Sequence, residues 1–144
     1  MDQKIIARAG EIIAQSTVNG GSYQGQACIL ALIDLEGFPT ASVITASKAD
    51  GINWITFCTG LGSDKAKRIE KCGRASVCFG SPDYGITLVG EIEVLTDPET
   101  KREMWYEGMG DHFTGPDDPH YCVLKFTTKR YNLLVDWQEA AGKL

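Results

Sequence analysis

Hydrophobic and polar positions alternate along most of this 144-residue chain, and the pattern predicts a mainly β protein. The predicted strands are rich in β-branched and aromatic residues and are bounded by turn residues. They cover residues 27–34, 40–47, 52–59, 74–79, 84–95 and 121–137. Gly90 interrupts the fifth strand and predicts a bulge or a sharp bend. A polar break at residues 127–130 leaves open whether the last segment is one strand or two.

Three segments follow the helical period instead. The first covers residues 2–16, where apolar side chains recur on one face. The second begins at Ser63 and ends at Gly73, a residue type that commonly follows a helix. The third begins at the sequence Thr-Asp-Pro-Glu of residues 96–99, with Thr96 as the predicted cap, and contains Met104 and Trp105.

The order of these elements predicts a fold class. Tight turns join most of the strands, and strands joined in this way must be antiparallel. A curved antiparallel sheet with a bend glycine is most simply a closed or split six-stranded β-barrel with Greek-key links and flanking helices. At this length, residues 1–144 are expected to form a single domain.

Charge and cysteine content narrow the functional classes. The net charge is −5 and no basic run occurs, so neither nucleic acid nor an anionic membrane is an expected partner. The five cysteines lack a C-x-x-C pair, and with only two histidines no metal site is expected. Most of the cysteines have apolar neighbours in the sequence, which is typical of free thiols in a reducing compartment. The N-terminal segment has the pattern of an amphipathic helix and not of a signal peptide, so a cytoplasmic protein is expected.

The segment between the third strand and the second helix carries the clearest candidate chemistry. Ser63 is a good N-cap residue, and the free amides of a first helical turn form an anion site. Thr59 and Lys65 lie within four residues of it along the chain. Two interpretations remain open on these residues alone: an ordinary capped helix after a loop, and a site for a phosphate monoester.

The same segment, FCTGLGSDK from Phe57 to Lys65, is similar to the aromatic–x–Thr…Ser–x–Lys segment of the FMN-binding split-barrel superfamily. Residues 69–79 and 88–95 also resemble the family's helix end, short strand and following glycine-containing strand. Trp105 and the Gly-Pro-Asp-Asp-Pro loop at residues 115–119 resemble the general stress protein 26-like branch. Pyridoxamine 5′-phosphate oxidase typifies this superfamily, and the resemblance covers residues 27–137.

The resemblance implies an FMN cofactor, with FAD as a possible substitute, bound at the interface of a homodimer. The flavin ring would lie along residues 42–47, and the phosphate would bind at the helix N-terminus. The residues implied in cofactor binding are Ser42, Val43, Ile44, Thr45, Phe57, Cys58, Thr59, Ser63, Lys65 and Trp105. Trp105 has a competing interpretation as a core aromatic residue.

Two departures separate the chain from the oxidase branch. Ser42 stands near the position of an arginine in that branch, and Asp64 replaces a basic residue between the phosphate-binding serine and lysine. Both changes make phosphate binding weaker unless Lys67, Arg68 or a partner residue compensates. The oxidases' C-terminal tail, which supplies a substrate-binding arginine, has no counterpart among the seven residues that follow Trp137. True pyridoxamine phosphate oxidase activity is therefore not expected.

The leading hypothesis is a flavin-dependent oxidoreductase of unknown small-molecule substrate, with no catalytic residue assigned. One alternative is a flavin-binding or storage protein of the stress response without turnover. Another is a split barrel that binds haem or a deazaflavin. The missing positive charges at Ser42 and Asp64 are the features that would favour the last alternative.

Overall fold

The computed structural model describes residues 2–20 and 26–144, which form eight β-strands, three α-helices and one 3-10 helix. The strands are β1 Cys28–Ile33, β2 Pro39–Ile44, β3 Ala46–Asp50, β4 Trp54–Gly60, β5 Arg74–Ser81, β6 Tyr84–Leu95, β7 Tyr121–Val135 and β8 Gln138–Lys143. The helices are α1 Asp2–Gln15, α2 Asp64–Lys71, α3 Pro98–Met104 and the 3-10 helix Glu107–Asp111. None of the helices in these ranges is both long and apolar enough for a membrane span.

The sheet is antiparallel and curls on itself because of one chain connection. The strand order is β2-β1-β5-β6-β7-β4-β3, with β8 paired to the second half of β7. Strands β2 and β3 lie at opposite ends of this order, yet only Thr45 separates them along the chain. The two ends of the sheet must therefore approach each other, which gives a half-closed barrel. The antiparallel split barrel with flanking helices is confirmed.

The core fills the inside of this curled sheet. Alternate residues of β1, β5 and β6 point inward, and α1 and α2 contribute apolar residues to the same cluster. Fully buried members include Leu30, Phe57, Val77, Ile86 and Leu88. A second cluster lies on the other side of β4 and β7, where α3 and the following loop cover the sheet.

Gly90 marks the predicted irregularity, and the extra residue lies on the neighbouring strand. Val89 pairs with Arg130 and Gly90 pairs with Thr128, so Lys129 of β7 is bulged out of the ladder. A Cβ atom at Gly90 would lie 2.0 Å from the carbonyl oxygen of Thr127, which excludes any side chain there. The polar break at residues 127–130 is this bulge, and β7 continues through it as one strand.

The structure corrects four predicted details. The second predicted strand divides at Thr45 into β2 and β3, and β8 was not predicted, so there are eight strands rather than six. The cap of α3 is Asp97, whose side chain accepts a hydrogen bond from the Thr100 amide at 3.0 Å, and not Thr96. Helix α3 ends at Met104, so Trp105 lies just outside it.

Candidate functional site

Ser63 caps α2 with the predicted geometry. Its backbone is extended, with φ −68° and ψ 159°, and its Oγ accepts a hydrogen bond from the Ala66 amide at 3.2 Å. Thr59 at the end of β4 donates its hydroxyl to the same Oγ at 3.3 Å. Since Ser63 Oγ accepts both bonds, its own proton remains available to a ligand oxygen. The two hydroxyls predicted for one site are therefore in contact.

The surrounding chain holds this turn in place. The Ser63 amide donates to the Gly60 carbonyl at 3.0 Å, and the Leu61 amide donates to the His120 carbonyl at 2.6 Å. The loop that precedes β7 thus supports the turn before α2. This role of His120 has no signal in the sequence, because a backbone carbonyl contact does not depend on residue type.

Lys65 lies in the first turn of α2 and is half-buried. The amides at the start of an α-helix have no partner within the helix, and the helix dipole places partial positive charge there. Ser63 caps one of these donors, while the amides nearer the start remain directed away from the helix body. The local donor set therefore fits a phosphate group.

Asp64 is paired within α2. Its carboxylate accepts a 2.6 Å hydrogen bond from the guanidinium of Arg68, whose side chain is 19% exposed. The sequence names Lys67, Arg68 or a partner residue as possible compensation for Asp64, and the structure pairs Asp64 with Arg68. The i, i+4 spacing of Asp64 and Arg68 was the available signal.

Strand β2 presents two different faces and one open edge. Ser42 and Ile44 pair with the inward-facing Leu30 and Cys28, so they point into the barrel, whereas Val43 points outward and is 69% exposed. Because β2 ends the strand order, only one of its edges pairs with a neighbouring strand. Its other edge offers backbone donors and acceptors near Thr45.

Phe57, Cys58 and Thr59 do not share one face of β4. The side chains of Phe57 and Thr59 point to the barrel side, and Phe57 is fully buried in the core. Cys58 points to the opposite side, where its thiol lies 3.3 Å from the Met104 carbonyl. Burial raises the pKa of the Cys58 thiol, so it stays protonated at neutral pH.

Trp105 lies in the second cluster. Its ring meets the ring of Tyr121 edge-on, with centroids 5.3 Å apart. Buried Lys101 lies beneath the same cluster and donates to the Asp118 carbonyl at 2.8 Å, while the Tyr121 hydroxyl donates to the Lys101 carbonyl at 2.8 Å. Trp105 therefore packs with core residues of this side of the sheet, half-buried.

The outer face of β1 and β2 is apolar. The alternate residues that point away from the barrel are Ile29, Ala31, Ile33, Pro39, Ala41 and Val43. Ile29 and Val43 face each other across the two strands and are 37% and 69% exposed. Phe38, in the turn that joins these strands, is 64% exposed. A continuous exposed apolar surface of this kind is typical of protein interfaces.

A half-closed antiparallel barrel with a hydroxyl-capped helix after its fourth strand defines the split-barrel class of protein. A family model described as pyridoxamine 5′-phosphate oxidase matches residues 23–134, and the chain belongs to this family. No curated protein matches the sequence.

Solved structures share the fold at low identity. A Clostridium acetobutylicum protein related to general stress protein 26 of Bacillus subtilis superposes with a TM-score of 0.81 at 23% identity, covering 100% of this chain and 97% of its own. A pyridoxamine 5′-phosphate oxidase-related, FMN-binding protein of Nostoc punctiforme gives 0.64 at 12% identity, covering 99% and 94%. A haem-binding protein of Mycobacterium smegmatis gives 0.68 at 18% identity, covering 96% and 57%.

Proposed function

We propose that this protein binds FMN, with its phosphate at the N-terminus of α2, and acts as a flavin-dependent oxidoreductase. The observation that carries the proposal is the contact between Thr59 and Ser63 at the start of α2, in a chain of the pyridoxamine 5′-phosphate oxidase family. The Nostoc punctiforme neighbour, which is FMN-binding by name, supports the choice of cofactor.

The phosphate has a defined set of donors in this proposal. The Ser63 hydroxyl, the first amides of α2 and the Lys65 ammonium would contact its oxygens. A flavin phosphate carries about −1.5 to −2 charge at neutral pH, and one lysine with a helix N-terminus offsets much of it. Arg68 removes the repulsion from Asp64 by pairing with it. No arginine stands at Ser42 to add further charge.

The flavin ring would lie along the open edge of β2. Backbone groups of Val43, Ile44 and Thr45 would bond its polar edge, and the inward-facing Ser42 would lie beside it. Flavin chemistry supplies the hydride or electron transfer, while the protein orients the ring and excludes water. Cys58 keeps its proton and stays on the far side of β4, so it takes no part in this chemistry.

A second copy of this chain completes the proposal. The apolar outer face of β1 and β2 carries no charge and includes the exposed side chain of Val43, whose backbone is among the groups proposed to bond the ring. Burying this face between two copies would remove apolar area from water, and each Å² of apolar area buried would stabilise the dimer by about 25 cal/mol. The flavin site would then lie at the edge of a homodimer interface. The five free cysteines fit a cytoplasmic location for this dimer.

Equilibrium titration with FMN, FAD, a deazaflavin and haem, followed by absorbance and fluorescence, tests the proposed ligand. Saturable FMN binding at one equivalent per chain is expected, and preferential binding of haem or the deazaflavin contradicts the proposal. Anaerobic mixing of the FMN-loaded protein with NADH or NADPH then separates an oxidoreductase from a storage protein. Bleaching of the flavin bands within seconds supports turnover.

Lys65→Ala tests the phosphate assignment. Loss of a charge-assisted hydrogen bond costs about 1.5–3 kcal/mol, and every 1.4 kcal/mol is about tenfold in Kd. Because Lys65 is half-buried, we expect the lower part of this range, roughly tenfold. Lys71→Ala removes an exposed lysine from the last turn of the same helix and is the matched control. Equal effects of the two substitutions on FMN affinity would show that Lys65 has no specific role.

A further inference from the structure

A basic groove lies away from the proposed flavin site, between the start of β5, the Gly90 bulge and the end of β8. Its volume is about 500 Å³. Four cationic side chains line it, together with one carboxylate: Arg74, Lys129, Arg130 and Lys143 with Glu91. A groove of this volume is within the range of small-molecule sites.

The strand register brings these cations together. Arg130 pairs with Lys143 of β8 and with Val89 of β6, while Lys129 is the extra residue of the bulge. The Leu144 amide donates to the Lys129 carbonyl at 2.9 Å and holds the end of β8 beside the bulge. The groove is therefore built from ladder pairs, and its shape depends on the bulge at Gly90.

The groove concentrates positive charge in an acidic protein. The chain has 19 acidic and 14 basic residues, but the groove has four cations against Glu91, which pairs with Arg74 across β5 and β6, and against Glu93 in its overlapping part. Within residues 2–20 and 26–144, none of these four cations forms an ion pair. Like charges directly opposite each other, as at Arg130 and Lys143, destabilise a sheet in the absence of a counter-ion. A bound anion would remove this repulsion.

The groove is separate from the α2 site. An overlapping part of the groove reaches Cys72 and Gly73, which follow the C-terminal end of α2. Ser63, in contrast, lies at the N-terminal end of the same helix. The eight-residue helix spans about 12 Å at 1.5 Å per residue. The negative end of its dipole disfavours an anion at Gly73. The favoured position is the opposite side, near Lys129, Arg130 and Lys143.

We propose that this groove binds a small phosphorylated ligand with at least two negative groups, of the pyrophosphate type found in nucleoside diphosphates. The guanidinium group of Arg130 presents a planar donor pair that matches phosphate oxygens, and Lys129 and Lys143 add point charges, whereas Arg74 stands opposite Glu91. Lys129, Arg130 and Lys143 together carry more positive charge than a single phosphate, at about −1.5 to −2, would neutralise. The site thus recognises a second ligand independently of the flavin.

Calorimetric titration of the FMN-saturated protein with inorganic pyrophosphate, in magnesium-free buffer at 50 and 200 mM salt, tests this proposal. We expect one saturable site whose affinity falls with salt. Lys129→Gln with Arg130→Gln should weaken it at least tenfold. The control Lys4→Gln with Arg102→Gln removes one lysine and one arginine elsewhere on the exposed surface and should leave it unchanged.

Three results would overturn the proposal. The first is the absence of saturable pyrophosphate binding. The second is an equal loss of affinity in the two double variants, which would show a general charge effect. The third is displacement of FMN by pyrophosphate in the unaltered protein, which would place the ligand at α2. Circular dichroism of each variant verifies that the fold is retained, so that a lost affinity is assigned to the groove.

Discussion

Substitution of Ser63 separates its structural role from its proposed contact with the flavin phosphate. Ser63 Oγ accepts bonds from the Ala66 amide and the Thr59 hydroxyl, and its proton is the one proposed to reach the phosphate. Aspartate is an equally good N-cap, so Ser63→Asp retains the capping bond to Ala66. It replaces the donor by a carboxylate at the position proposed for the phosphate.

The expected magnitude follows from the charges. Two unit charges about 4 Å apart repel by about 1 kcal/mol in water and about 4 kcal/mol at the effective dielectric of a protein surface. The lost hydroxyl donor to a charged acceptor adds about 1.5–3 kcal/mol. Ser63→Asp should therefore raise the Kd for FMN by about 100-fold or more. Riboflavin lacks the phosphate, so its Kd should stay within about twofold.

Fluorescence titration of each variant with FMN and with riboflavin measures this difference, and urea denaturation measures stability. Ser63→Ala is the complementary variant, because it removes the cap and should cost about 1 kcal/mol of stability. Unchanged FMN affinity in Ser63→Asp would refute the phosphate position. Equal losses for FMN and riboflavin would refute it as well, since they would indicate a disturbed ring site.

Three further predictions concern charge pairing, the apolar face and acid stability. Arg68→Gln leaves the Asp64 carboxylate unpaired and should weaken FMN binding several-fold, and Asp64→Asn in the same protein should restore it; a double variant as weak as the single one would contradict this. Val43→Glu charges the apolar outer face and should give a monomer in light scattering, while Thr96→Glu, on another exposed surface, should leave the dimer intact; a dimeric Val43→Glu protein would place the interface elsewhere. The amide of Thr114, followed by that of His120, donates to the Asp118 carboxylate and lowers the pKa of that carboxyl group. The carboxylate therefore stabilises the fold above its unfolded pKa of about 3.9, and this stabilisation is lost as the pH falls through the folded pKa. The urea midpoint should fall less between pH 7 and pH 3 in Asp118→Asn than in the unaltered protein, and equal falls would exclude a role of this carboxylate in acid stability.

The sequence predicts the elements whose signals are local. The apolar stripe of α1, the Ser63 cap and the bulge at Gly90 depend on residue types and short spacings, and all three are confirmed. Strand β8 escapes prediction because its sequence QEAAGK is poor in β-forming residues, and its ladder comes from pairing with β7. The turn between β7 and β8 consists of Asp136 and Trp137, with φ values of 53° and 63°. The usual sequence signal for such a hairpin turn is Asn-Gly, which is absent here.

The candidate site divides in the same way. Thr59 and Ser63 are four residues apart, so their contact follows from a strand end and a helix cap. The opposite orientation of Cys58 follows from strand alternation, but the α3 residues that cover it come from a distant segment. Arg68 is one of the compensating charges that the sequence names for Asp64, and the geometry of the pair selects it. The features that local sequence does not predict, β8 and the cover over Cys58, depend on contacts between segments that are distant along the chain.

The relative affinity of the unaltered protein for FMN and riboflavin is the sharpest test of a phosphate site at the start of α2. Both ligands carry the same ring and ribityl chain, so the ratio of their dissociation constants isolates the phosphate contribution. A phosphate held by Ser63, Lys65 and the α2 amides predicts that FMN binds at least about tenfold more tightly than riboflavin, a difference of about 1.4 kcal/mol. Equal affinities for the two ligands, or no saturable binding of FMN, would rule out a flavin phosphate held at α2.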